Sequence, residues 1–252
     1  MTITNTESGT QIDEIARGIY RISTPVRPGP EMPPGFSFNQ ILIAAEQPLL
    51  FHAGPKRMFP LVREAVKSVL PPESLRYIGF SHNEADESGA LADWLAIAPR
   101  AQALCSRVGA MIFAADVSDR PVQAMADGQR LDLGGHEITW LDAPHVPHGW
   151  DCGFIGELST RTLLCGDLFT QPGDTNPALT ERDILGPSEA MRAMFEYYSR
   201  GPNTTAAIER LAAFEPRTLA CMHGSAYAGD GRALLLELAK TLDRTPGSVR
   251  AA

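Results

Sequence analysis

The sequence has no apolar run approaching the roughly 20 residues that a membrane-spanning helix needs. Nowhere does it gather Lys and Arg into a basic run, and its formal net charge is −8 with a pI near 5.3. Nucleic acid and anionic membrane surfaces are therefore not expected partners. There are only four cysteines, Cys105, Cys152, Cys165 and Cys221, and no two form a CxxC pair. In a chain of 252 residues this excludes a disulfide scaffold. Reduced, buried thiols in the cytoplasm are the expectation, with a Cys152–Cys165 pair left open. Met1 to Thr10 is polar and lacks the basic-then-apolar order of a secretory signal. Neither Ser81 nor Ser225 lies in a G-x-S-x-G turn, so a serine nucleophile has no motif to support it. Low-complexity segments and short-period repeats are absent too.

What the chain does have is ordinary globular composition, 44% hydrophobic and 21% charged. Residues 1–11 read as a frayed tail and Glu14 to Ser23 as a first strand. Thr24 to Pro34 is a proline-rich loop. Phe36 to Ala45 and Leu49 to His52 are strands, and Met58 to Leu70 has helical apolar spacing closed by Pro71-Pro72. Strand and helix then alternate through Arg76–Phe80, Gly89–Ala98, Ala101–Cys105 and Val108–Ala115. Two hairpins follow, one around Gly134-Gly135 and one around Ser159-Thr160. Helices at Pro187–Ser199 and Thr204–Phe214, a strand at Arg217–Cys221 and a helix at Gly231–Leu242 complete the pattern, with a loose tail after Pro246. This is a mixed α/β chain, read as a single domain of two similar halves over 1–252 with its core at about 14–243. Two packed sheets with helices on the outer faces are expected.

The chemistry centres on Ser81-His82-Asn83-Glu84-Ala85-Asp86-Glu87, which follows an apolar strand. In an extended segment His82, Glu84 and Asp86 would share one side. Three more sites repeat the layout of an ionisable residue just past an apolar strand. They are His148 (with His145) after Trp140-Leu141, Asp167 after Leu163-Leu164-Cys165-Gly166, and His223 after Leu219-Ala220-Cys221. Three imidazoles and three carboxylates at strand ends suffice for two metal ions, and Asp167 is the natural bridge. His136, after two glycines, is expected to be exposed, and His52 to be a core histidine. Trp150, Phe169 and Tyr227 are candidate pocket residues, with Gly173–Asn176 and Pro25–Phe36 as a rim. Cys221 is expected to be structural.

These motifs resemble the metallo-β-lactamase superfamily, and within it the diiron flavoproteins and oxygen-binding diiron (ODP-like) proteins. The superfamily's zinc motif is HxHxDH. Here Glu84 occupies the second ligand position, as in the diiron branch. The 18 residues between His148 and Asp167 match that branch, as do Cys165-Gly166-Asp167 and Met222-His223-Gly224. The resemblance implies an αββα sandwich, one iron held by His82, Glu84 and His148, another by Asp86 and His223, and Asp167 between them. It favours His148 over His145, which becomes a pocket group or additional ligand. The sequence departs at Glu87, where the zinc enzymes and many diiron relatives have His. Glu87 either ligates the second metal or leaves that position to water. The family's flavoproteins also carry a flavodoxin domain, for which this chain has no room, so no bound flavin is expected.

The expected function is therefore a dinuclear metal protein, diiron before zinc, that binds or reduces O2 or NO. Electrons would come from a separate donor protein. Hard oxygen donors favour iron over zinc, and an added carboxylate lowers the cost of oxidising the pair. The alternative is a zinc hydrolase acting on a lactone, thioester or phosphodiester through metal-bound hydroxide. A third reading is an oxygen or redox sensor. Relatives that work with flavin often form head-to-tail dimers that bring one subunit's donor near another's irons; without a flavodoxin domain that reason is absent here, and a homodimer is left open.

Overall fold

A computed structural model of the chain describes residues 2–244. The expected loose tail after Pro246 lies outside the described residues. The first sheet has eight strands in sequence order: β1 Thr2–Asn5, β2 Thr10–Ala16, β3 Ile19–Val26, β4 Phe36–Ile43, β5 Leu49–Phe51, β6 Tyr77–Gly79, β7 Gln102–Ser106 and β8 Gln123–Met125. Its first five strands pair antiparallel and its last four parallel. The second sheet draws on β9 Arg130–Asp132, β10 Glu137–Asp142, β11 Gly153–Glu157, β12 Thr162–Leu164, β13 Leu179–Thr180, β14 Thr218–Ala220 and β15 Ala226–Ala228. Its order is β13-β15-β14-β12-β11-β10-β9, with β12 and β14 parallel.

Pleating sorts the side chains into three apolar layers. In β4, Ile41 and Ile43 face the second sheet while Leu42 faces the outer helices. In β12, Leu164 faces inward and Leu163 outward. Trp140, Phe51, Ile138 and Ile155 fill the space between the sheets. The outer layer of the first sheet is closed by α1 Phe59–Lys67, the short α2 Ala85–Ser88, α3 Leu91–Ile97, and a helical stretch. That stretch runs from α4 Arg107–Gly109 through a π-turn at Ala110–Ala114 to α5 Ala115–Val117. α1 buries Val62, Ala65 and Val66, the one-sided spacing of an amphipathic helix. The second sheet is covered by α6 Leu185–Phe195, α7 Thr204–Ala213 and α8 Gly231–Arg244. The result is the αββα sandwich, two mixed sheets with helices outside.

Three expectations need correction. The segment 1–11 is not a frayed tail. β1 pairs with β2, the Asn5 carboxamide accepts the Ser8 amide at 3.0 Å, and Gly9 turns the chain at φ 77°, so the first sheet starts at Thr2 rather than near 14. The single strand expected over Glu14–Ser23 is two strands, because Gly18 takes φ 70° and its amide donates to Glu14 at 2.8 Å. The motif at His82 is not extended throughout. Glu84 is extended (φ −130°, ψ 165°) and caps α2, so Asp86 and Glu87 lie on a helical turn. β8, β13 and β15, short strands of two or three residues, carry too little pattern to be seen in sequence.

Candidate metal centre

Four chain segments bring the site together where β6, β10, β12 and β14 end. His82 follows β6, held by its neighbour: the Ser81 carbonyl accepts the Gly153 amide of the facing sheet at 3.0 Å. Asp151 anchors the same segment by accepting the Asn83 amide at 2.9 Å. His148 stands on the loop after β10, beside Gly149 (φ 78°), where a Cβ would lie 3.1 Å from the His82 Cβ. Asp167 follows β12. His223 follows β14 and lies against Phe36, rings stacked at 4.3 Å. Gly224 beside it takes φ 88°, and a Cβ there would sit 2.5 Å from Gln171. Its carbonyl accepts from the buried Arg21 (2.7 Å) and from Asn39 (2.8 Å). The His223 turn is thus clamped to the opposite sheet.

The side chains meet around one carboxylate. Asp167 Oδ2 lies 3.2 Å from His148 Nε2 and 3.5 Å from His82 Nε2, while its Oδ1 lies 3.3 Å from His223 Nε2. Glu84 Oε1 is 3.2 Å from His148 Nε2 and 3.7 Å from His82 Nε2. Asp86 Oδ2 is 3.4 Å from His223 Nε2. Two imidazoles are oriented from behind: His148 Nδ1 donates to the Tyr197 carbonyl and His223 Nδ1 to the Ser37 carbonyl, both at 2.8 Å. The proton on Nδ1 leaves Nε2 as the inward-facing atom. His82 Nδ1 instead meets the Ser81 hydroxyl at 3.0 Å. That hydroxyl meets His52 Nε2 at 3.0 Å, and His52 Nδ1 ends on the Met222 sulfur.

Such a cluster needs positive charge at its centre. Neutral Nε2 atoms and carboxylates are all acceptors, and His82 Nε2, His148 Nε2 and Asp167 Oδ1 are buried with no hydrogen-bond partner. Either protons or metal ions must stand between them. With protons alone, burial pulls His148 down, but Asp167 and Glu84 outweigh it and hold the imidazole up at about 10. His223 rises to about 9, with burial opposed by Asp167 and Asp86. Glu84 falls to about 2 through His148 and His82. Burial pushes Asp167 up, yet His148 and His223 hold it well below the usual carboxylate range. His52 is driven down to about 3 by burial and stays neutral. The donor set, imidazole nitrogens and carboxylate oxygens, fits divalent iron or zinc.

A cavity of about 210 Å³ opens over this cluster. Glu84, Asp86, His148, Asp167 and His223 form its floor, and its walls are Met32, Phe36, Met191, Phe195, Tyr197 and Thr170. His82 and Glu87 lie beneath, 1% and 0% exposed.

A family profile, ODP family beta lactamase, matches residues 36–224, a span that contains every imidazole and carboxylate of the cluster. The chain belongs to the ODP family. Among ODP-family relatives, the flavo-diiron protein FprA2 of Clostridium acetobutylicum is 30% identical over 207 residues, covering 78% of this chain and 51% of that protein. Rubredoxin-oxygen oxidoreductase of Megalodesulfovibrio gigas is 29% identical over 210 residues, 78% of this chain and 50% of that protein. A diflavin flavoprotein of Synechocystis is 28% identical over 54% of this chain and 24% of its own length. The chain thus spans at most about half the length of these relatives. The solved rubredoxin oxygen:oxidoreductase of Desulfovibrio gigas has the same fold, with a TM-score of 0.81 at 23% identity over 94% of this chain and 62% of that one.

Within this ODP-family chain, His82, Glu84, Asp86, His148, Asp167 and His223 all reach the cluster, and so does Glu87. His145 does not. It is exposed, takes φ 65° as the loop turns, and borders a separate cavity with 199–204. Trp150 is 57% exposed on another face, Phe169 is buried in the outer core, and Tyr227 packs there too, so none of the three lines the cavity. Of the two rim segments, Pro25–Phe36 supplies Met32 and Phe36, and Gly173 ties to it by donating its amide to the Gly35 carbonyl at 2.9 Å. Cys221 faces away, its sulfur 3.7 Å from Cys165, and all four cysteines are free and buried. His136 is buried against Glu157, not exposed. Sequence reasoning missed Tyr197 and the α6 residues Met191 and Phe195, because a helix and its exit some 50 residues downstream of His148 give no local sign of bending over it.

Proposed function

We propose that this chain is a dinuclear iron protein that binds and reduces O2 or NO. One ion is assigned to His82, Glu84 and His148, the other to Asp86 and His223, with Asp167 shared. The observation that carries the reading is Asp167, whose two oxygens each face a different imidazole group. Iron would supply the redox electrons for a diatomic ligand. The chain's own residues supply the rest. Met32, Phe36 and Phe195 make an apolar approach suited to a small uncharged gas. His148 and His223, each fixed by a carbonyl behind it, keep their Nε2 atoms trained inward. Glu84 favours iron, because it is a hard oxygen donor where imidazole would suit zinc. The name of the Megalodesulfovibrio relative supports oxygen as the ligand and a separate electron carrier as partner.

We take residues 1–252 as one domain that binds no flavin itself and works in the cytoplasm. Among the described residues no helix is long and apolar enough to cross a membrane. The test is anaerobic loading with Fe(II), metal analysis, and exposure of the reduced protein to O2 or NO. Two irons per chain and a new charge-transfer absorption band are expected. Stoichiometric zinc in the untreated protein together with no iron uptake would overturn the assignment and leave the hydrolase.

A further inference from the structure

Of the three imidazoles that face Asp167, two are fixed from behind by backbone carbonyls, which only accept. His82 differs, because its Nδ1 meets the Ser81 hydroxyl at 3.0 Å. A hydroxyl both donates and accepts, so by itself it leaves the His82 tautomer open. The tautomer is set further along the same line of contacts. Ser81 Oγ lies 3.0 Å from His52 Nε2, and His52 Nδ1 lies 3.0 Å from the Met222 sulfur. His52 is 2% exposed and neither of its nitrogens hydrogen-bonds to a carboxylate, so its ring is neutral. A thioether sulfur has no proton to give. His52 Nδ1 must therefore carry the hydrogen, and Nε2 must accept. Ser81 then donates to His52 Nε2 and accepts from His82 Nδ1. The reverse order would set a bare ring nitrogen against a bare sulfur. The His52 segment is itself held on both sides: the Ala53 amide donates to the Glu87 carbonyl at 2.7 Å, and the Ala53 carbonyl accepts from Trp94 Nε1 at 2.8 Å.

We propose that His52 is a positioning residue which, with the Met222 sulfur as terminal acceptor, holds His82 in the Nδ1-protonated tautomer and so turns the Nε2 lone pair towards the first ion. This rests on the dinuclear reading above and deepens it. Met222 immediately precedes His223. One buried ring therefore ties the turn that carries a ligand of the first ion to the turn that carries a ligand of the second. All three imidazoles then present Nε2 inward, two through carbonyls and one through this line of three side chains.

The test uses three variants. Met222→Leu is a volume-conserving change that removes the sulfur acceptor. His52→Phe removes both ring nitrogens, and His52→Gln keeps an amide that can donate and accept in the same order. Long-range 1H–15N correlation on protein loaded with zinc, a diamagnetic probe ion, reports which nitrogen of His52 bears the proton. Anaerobic Fe(II) titration with metal analysis reports affinity. In wild type His52 should be protonated on Nδ1, and in Met222→Leu that proton should move in part to Nε2. Met222→Leu and His52→Phe should each bind one of their two irons about tenfold more weakly. His52→Gln should bind both irons close to wild-type strength. A wild-type His52 protonated on Nε2 would overturn the assignment, and so would unchanged iron affinity in Met222→Leu and His52→Phe. Equal weakening in all three variants would assign His52 to packing alone. Each of those results leaves the two ions in place. Absence of paired uptake in wild type would bring down the dinuclear reading and this one with it.

Discussion

Two buried imidazole–carboxylate contacts lie at opposite ends of the second sheet, and they are built on different rules. At the end where β10 begins and β11 stops, His136 Nδ1 donates to Glu157 Oε1 at 2.9 Å. Glu157 also accepts the amides of Ser159 (3.2 Å) and Thr160 (2.8 Å) and both of their hydroxyls. Each carboxylate oxygen has its donors, and Glu157 is held down at about 2. At the other end Asp167 lies 3.2 Å from His148 and 3.5 Å from His82, also largely out of solvent, yet without protons or metal the facing atoms are all acceptors and several have no partner. The first is a structural knot, saturated and finished by the protein alone. The second is completed only by something the chain does not encode. The donor count separates the two.

The comparison can be broken at either end. Asp167→Asn should have the largest effect. It removes the charge shared by both proposed ions, and bound iron should fall from two per chain to one or none by metal analysis. The metal-free fold should survive, because asparagine keeps the shape of the side chain and the imidazoles it faces can shed their protons once the carboxylate charge is gone. Glu157→Ala should do the reverse. It should lower unfolding free energy by roughly 2–4 kcal/mol, read by denaturant titration, while metal content stays at wild-type level. An equal loss of metal in both variants would mean that the two ends are not independent.

Proton release gives an intermediate test. At pH 7 His148 and His223 are protonated in the metal-free protein, being held at about 10 and 9. Loading the site should therefore expel about two protons per chain, measured by calorimetry in buffers of different ionisation enthalpy. Apparent affinity should rise with pH over that range. For Glu157 the dependence has the same sign but lies in a lower pH window. Its folded pKa lies below the unfolded value, so its stabilisation is present above about pH 4.5 and is lost as pH falls towards 2. Acid melting curves of wild type and Glu157→Ala should converge there.

The smallest effect is expected at Ser81→Ala. His82 Nδ1 would lose the hydroxyl that links it to His52, and first-ion affinity should fall about tenfold with little change in melting. No change in affinity would show that His82 is oriented by packing rather than by that chain of hydrogen bonds.

Much of this was legible in the chain itself. The ligands announce themselves because each sits immediately after an apolar run, and strands long enough to show their pleat, such as β4, were readable for the same reason. The N-terminal hairpin was not, since β1 and β2 are polar and rely on pairing with β3 for their order. His136 was misjudged because glycines on its flank signal a turn but not what packs over it. Trp150 and His145 follow the same loop as His148, and adjacency alone could not tell which side chains turn inward.

The amino-acid sequence by itself determined which groups can bind a metal, which strand ends carry them, and that an oxygen donor stands at Glu84. Those are properties of residue type and local spacing. Tertiary structure alone decided that Asp167 faces two imidazole groups, that Glu87 is sealed beneath them, and that α6 closes over the cavity. These are distances between segments remote in the chain, and only the packing of two sheets sets them.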